Sequence, residues 1–123
     1  PLPSAIMTAR FHDPTYPFRH LWEHSGVDLA APTGTPVRAA APGIVAWTRT
    51  GRSYGNYVMI IHEDGFATLY AHLSGFNVTA DDFVGRGDTI GFVGSTGFST
   101  GPHLHFEVRL NGIPVDPMHY IVN

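Results

Sequence analysis

The sequence predicts a small all-β domain, mainly antiparallel, and three observations carry that expectation. Fourteen glycines and ten prolines are spread along 123 residues instead of being gathered into linkers, which fits many turns between short strands. The β-rich runs NYVMIIHE (56–63) and FATLYAH (66–72) flank Asp64-Gly65, a dipeptide suited to a two-residue hairpin. In GPHLHFEVR (101–109) the apolar Leu104, Phe106 and Val108 alternate with polar positions, the period of a strand packed on one face.

The elements follow in order. Residues 1–23 hold Pro14 and Pro17 and little periodicity, so they read as a less regular segment with a short strand near Ile6 to Phe11. Val27 and Leu29 fit a short strand, and Pro32-Thr33-Gly34-Thr35-Pro36 a turn. Val37 to Ala40 reads as a strand, Pro42-Gly43 as a turn, Ile44 to Arg49 as a strand and Gly51 to Gly55 as a loop. After the hairpin at residue 64, LSGFNVTADDFVGRGD (73–88) reads as a connection with one helical turn. Thr89 to Gly94 is a strand, STGFSTGP (95–102) a Gly-rich loop, and Leu104 to Leu110 a strand turning at Asn111-Gly112 into Ile113 to Val115. The expected organisation is one domain over 1–123, with its core at 24–117.

Composition narrows the function. A hydrophobic content of 43% and a charged content of 14% indicate a globular chain, long enough to bury roughly 65% of its unfolded surface. There is no cysteine, which excludes disulfides and thiolate sites. No run approaches the roughly 20 apolar residues of a membrane span, and no stretch of these residues reads as a signal peptide. The first residue is Pro rather than Met, so a trimmed piece of a longer protein is expected. The net charge is −3, and the seven basic residues are all arginines with no basic stripe, which argues against nucleic acid. The absence of lysine excludes a biotinyl- or lipoyl-type carrier, despite the Gly-bracketed hairpin pieces APGIVAW and GDTIGFVG. The chain is expected to act as a monomer.

Eight histidines are the most informative feature. His103 and His105 share a strand face, roughly 6.6 Å apart at the backbone from a rise of about 3.3 Å per residue. EHSGVD supplies His24 and Asp28, and YAHLS supplies His72. Catalytic zinc takes three protein ligands and keeps one position open. His24, Asp28 and one of the paired histidines would make such a set. Residues four apart on a straight strand are about 13 Å apart, while two ligands of one zinc are roughly 3.3 Å apart. A bend at Ser25-Gly26 is therefore expected, since glycine reaches backbone angles that other residues avoid. His103 and His105 do not both coordinate easily from one straight strand, so one binds metal and the other reaches toward substrate. Alternation places Thr68, Tyr70 and His72 on one face. His20, four residues before His24, competes as a ligand. His12, His62 and His119 read as structural, and Tyr16, Tyr54 and Tyr70 as packing or rim residues. Glu107 continues the His103/His105 face; it reads as a solvated strand position, with support of a metal-binding histidine as the alternative.

Taken together, HSGVDLAAPTGTPVRAAAPGIV, YGNYVMIIHEDGFATLYAHLS and GDTIGFVGSTGFSTGPHLHFEVRLNG resemble the lysostaphin-type (LytM-type) zinc endopeptidases, metallopeptidase family 23, which cut peptide cross-bridges of bacterial peptidoglycan. The resemblance runs from about His24 to Pro117. It implies that His24, Asp28 and His105 hold one Zn2+, that His72 and His103 form the catalytic pair, and that loops wall a groove on a small antiparallel sheet. It also implies a peptidoglycan peptide substrate and an extracytoplasmic location. No ligand or catalytic position departs from the family pattern.

The chemistry expected of this set is hydrolysis by metal-activated water with histidine as general acid and base. No His-Glu-x-x-His motif is present to supply a glutamate base, and an imidazole near pKa 6.5 suits the task. His103 is assigned as base; His72 stabilises the oxyanion or protonates the leaving amine, and the two roles are interchangeable at this level. The loops at 49–54 and 94–102 are expected to line the groove. The alternatives are a catalytically silent binding or activator module of the same fold, and a carboxypeptidase or amidase of the same group.

Overall fold

Two dipeptides shape the two tightest hairpins. Asp64 and Gly65 have φ of 59° and 80°, and Asn111 and Gly112 have φ of 52° and 84°. Positive φ at both central residues is the type I′ pattern, whose twist matches that of the flanking strands. The structure, a computed structural model, describes residues 6–9, 26–97, 99 and 101–115. Among these residues lie ten strands and no helix: β1 (Ile6–Ala9), β2 (Val27–Ala30), β3 (Pro36–Arg38), β4 (Gly43–Gly51), β5 (Gly55–Ile61), β6 (Phe66–Phe76), β7 (Phe83–Val84), β8 (Thr89–Val93), β9 (His103–Leu110) and β10 (Ile113–Val115).

The strands run in the order β1-β2-β9-β6-β5-β4-β7, with β10 on β9, and β8 joining β6 to β3. Every pairing is antiparallel. The expected fold class therefore holds. No helix among the described residues is long and apolar enough to cross a membrane.

Both faces of the sheet centre are buried. On one face Leu104, Phe106 and Val108 join Val27, Val58, Tyr70, Leu73 and Ile90 in the main core. Tyr70 and Phe106 meet at 5.3 Å between ring centroids. The Tyr70 hydroxyl oxygen accepts hydrogen bonds from the Ala40 N–H and the Thr68 hydroxyl, both at 2.9 Å. Burial pushes its pKa up to about 12, because the phenolate would be desolvated. The other face carries a smaller cluster of Met59, Leu69 and Ala71, with Trp47, Tyr54 and Tyr57 packed against it.

Two expectations are corrected. The connection after His72 contains no helical turn: β6 runs on to Phe76, because Gly75 and Phe76 pair with Phe92 and Gly91 of β8. Sheet pairing outweighs the low strand propensity of Ser74-Gly75. Gly26, expected to bend the chain together with Ser25, lies in a bend, while Ser25 is outside the described residues. Its small size matters as well, because a Cβ there would strike the Phe106 carbonyl. Finally, Thr68 and Tyr70 do not share a face with His72. His72 has φ 64°, and the β5–β6 and β6–β8 registers shift around it. This irregularity inserts one residue into the alternation, so that Tyr70 and Leu73 both enter the main core while His72 joins the histidines of β9.

Candidate active site

The register of β2 against β9 builds the centre. Asp28 lies directly opposite His105, and Ala30 opposite His103. His105 Nδ1 is 2.9 Å from Asp28 Oδ1, and His103 Nε2 is 3.7 Å from the same oxygen. Asp28 and His105 are buried, at 5% and 3% exposure. His24, the third expected ligand, lies outside the described residues, as do His12, His20, His119 and Tyr16. Among the described residues alone, no three His, Asp or Glu side chains form a metal-binding group.

His72 arrives from β6, where the preceding residue, Ala71, is paired with His105. Its ring lies 4.8 Å from that of His103 and 6.0 Å from that of His105, between centroids. Two bonds fix it: its backbone N–H donates to the Tyr54 carbonyl at 2.8 Å, and Nδ1–H donates to the Thr96 carbonyl at 2.6 Å. Thr96 is clamped in turn. Its hydroxyl donates to the Leu73 carbonyl at 2.9 Å and accepts from the Asn56 N–H at 3.0 Å. A Cβ at Gly55 would collide with Thr96, and one at Gly97 with Gly55; the two loops approach this closely because both positions are glycine. Burial lowers the His72 pKa to about 4, which keeps the ring neutral near pH 7.

His103 is oriented by the Gly-rich loop. Its Nδ1 lies 2.8 Å from the Gly101 carbonyl oxygen and 3.1 Å from Ser99 Oγ. A carbonyl only accepts, so Nδ1 carries a proton, and in the neutral ring Nε2 carries the lone pair. Among the described residues that Nε2 is buried without a hydrogen-bond partner, an arrangement seldom left unexplained in a folded protein.

His105 is held from both sides. Nε2 lies 2.8 Å from Glu107 Oε2, opposite the Asp28 contact at Nδ1. Burial alone would lower its pKa, but hydrogen bonds to Asp28 and Glu107 and the charges of both carboxylates overcome it and push it up to about 9. Glu107 is fully buried, which corrects the solvated reading. It accepts from the Tyr54 hydroxyl at 2.5 Å and from Arg109 Nε and Nη2 at 3.0 and 2.9 Å. Burial alone would lower the Arg109 pKa too, but Glu107 raises it above its ordinary value.

The donor set fits a divalent metal. A carboxylate oxygen and an imidazole nitrogen, both ligand types that zinc takes, face each other at Asp28 and His105, and the orphaned His103 Nε2 lies beside them. The pair at 2.9 Å is bridged by a proton on His105; a cation between the two groups would replace that proton.

Residues 22–117 match Peptidase family M23. This chain belongs to that family. The M23 domain is 51% identical over 119 residues to "DD-carboxypeptidase/endopeptidase Mpg" of Neisseria meningitidis, covering 96% of this chain and 27% of that protein. It is 46% identical over 95 residues to "Peptidoglycan DD-endopeptidase ShyA" of Vibrio cholerae, covering 77% of this chain and 22% of that protein. Among solved structures, the catalytic domain of the antimicrobial peptidase lysostaphin from Staphylococcus simulans superposes with a TM-score of 0.87 at 34% identity, covering 94% of this chain and 91% of that one. The chain thus spans about a quarter of the length of these two curated relatives.

Asp28, His72, His103 and His105 come together from three strands. The supporting groups Tyr54, Thr96 and Arg109 were not singled out from the sequence as partners. Tyr54 reaches Glu107 and Arg109 from more than fifty positions away, so no local pattern marks it, whereas Arg109 lies two residues after Glu107 on β9.

Proposed function

We propose that this M23 domain is a zinc endopeptidase that hydrolyses peptide cross-links of bacterial peptidoglycan outside the cytoplasm. The observation that carries the reading is the convergence of Asp28, His105, His103 and His72 from three strands. His24, Asp28 and His105 would hold the metal. Zinc held there would lower the pKa of a water to near 7 and polarise a carbonyl.

The remaining chemistry belongs to the protein. His103 Nε2 takes the proton of the attacking water. The imidazolium so formed faces Asp28, 3.7 Å away, and this charge stabilises it. His103 then returns the proton to the leaving amine. His72 enters neutral, with Nδ1–H committed to Thr96, so its Nε2 accepts hydrogen bonds from water or substrate and donates only after taking up a proton. Under this reading the base is His103 and the positioning partner is His72. The unit acts as one domain with its core at 24–117, as a monomer, with the loops at 49–54 and 94–102 beside the substrate. A silent binding module is not favoured, since nothing in such a role calls for two further histidines against the metal ligands.

Digestion of purified peptidoglycan tests this. Cross-linked muropeptide dimers should fall to monomers on mass spectrometry; a chelator should abolish cleavage and added zinc restore it. Persistent dimers with zinc-loaded protein, or cleavage indifferent to chelation, would overturn the proposal. A carboxypeptidase would instead shorten stem peptides and leave dimers intact.

A further inference from the structure

The sheet face beside the metal ligands carries a buried network that the proposed hydrolysis does not use directly. Glu107 divides its two oxygens between two tasks. Oε1 accepts both bonds from Arg109, while Oε2 accepts from the Tyr54 hydroxyl and lies 2.8 Å from His105 Nε2. Arg109 Nη2 also lies 3.2 Å from the Tyr54 oxygen, which closes the triangle. The Tyr54 ring lies against His105 at 5.8 Å between centroids, with 27° between planes. Its carbonyl receives the backbone N–H of His72.

From this geometry we infer that Glu107, anchored by Tyr54 and Arg109, is a positioning residue that sets metal affinity by fixing the tautomer and ring orientation of His105. The inference rests on the metallopeptidase reading above. A carboxylate oxygen beside Nε2 holds a ring proton there, so the proton a metal would displace is the one on Nδ1, leaving that lone pair for the metal. Carboxylate support of a metal-binding histidine raises its basicity and orients it. A buried carboxylate is stable only when paired, and Arg109 supplies the charge while Tyr54 supplies the directed O–H. Tyr54 thereby joins the metal ligand, through Glu107, to the backbone of His72.

The test is Glu107→Gln, with zinc alone as the probe. An amide has one acceptor oxygen. If its NH2 group faces Arg109, two donors confront it; if it faces His105, Nε2 must become the acceptor and the ring proton moves to Nδ1, against the metal. Competition with a chromophoric chelator should show zinc bound 10–100-fold more weakly, the usual scale for such partners. In the zinc-loaded wild type, 15N NMR of His105 should show a protonated Nε2, and that signature should be lost or mixed in the variant. A merely structural role would lower the melting temperature and leave affinity and tautomer unchanged. Tyr54→Phe keeps the ring and removes one bond to Oε2; it should weaken zinc binding in the same direction by a smaller factor, and it decides the matter if Glu107→Gln does not fold. Wild-type affinity in either folded variant would overturn the inference alone, whereas failure of the wild type to bind zinc would overturn the metallopeptidase reading itself.

Discussion

His105→Ala is expected to leave a folded domain that neither retains zinc nor cleaves peptidoglycan, with activity down by roughly a thousandfold or more. The ring sets an imidazole nitrogen 2.9 Å from Asp28 Oδ1, and under the proposed ligand set its loss would leave only Asp28 and His24 to hold the metal. The substitution also removes the Nε2 partner of Glu107, but that carboxylate keeps Tyr54 and Arg109, so the buried charge remains paired. Elemental analysis of the purified variant, beside circular dichroism as a check on folding, reads the first effect; dimer cleavage reads the second. Zinc retention with normal turnover would show that another residue holds the metal.

His103→Ala separates binding from chemistry. Its Nε2 lies 3.7 Å from Asp28 Oδ1, and its Nδ1 is turned to the Gly101 carbonyl. Under the proposed roles, removing it takes away a proton acceptor without taking away a ligand. The variant is therefore expected to bind zinc like the wild type while kcat falls by about 10²–10⁴, the usual worth of a positioned general base. Zinc titration and single-turnover cleavage on the same sample make the comparison. Near-normal kcat would remove His103 from its role, and loss of zinc would place it among the ligands.

The parts legible in the sequence were those governed by local rules. Asp64-Gly65 and Asn111-Gly112 announce their turns because both central residues take positive φ. Leu104, Phe106 and Val108 announce the core face of β9 through alternation. Asp28 and the paired histidines could be grouped because zinc takes few ligand types, although their roles followed from resemblance to a family and not from spacing. What failed was alternation at His72. A period of two puts it with Tyr70, and only the left-handed residue turns it toward His103. Glu107 was misread for a related reason. Polar positions alternating with apolar ones normally face water, yet here the second face is covered as well, and Tyr54 and Arg109 make the burial of a carboxylate tolerable. Tyr54 lies more than fifty positions from both Glu107 and Arg109, beyond the reach of any local pattern, whereas Arg109 is two residues from Glu107 on the same strand.

The central claim is that one metal ion is gripped where β2 meets β9, beside two further histidines. Anomalous diffraction at the zinc edge from crystals of the zinc-loaded domain tests it most directly. The account predicts a single strong peak in contact with Asp28 Oδ1, His105 Nδ1 and a nitrogen of His24, with His72 and His103 adjacent but not bound. A peak at any other place, or none at full zinc loading, would contradict it.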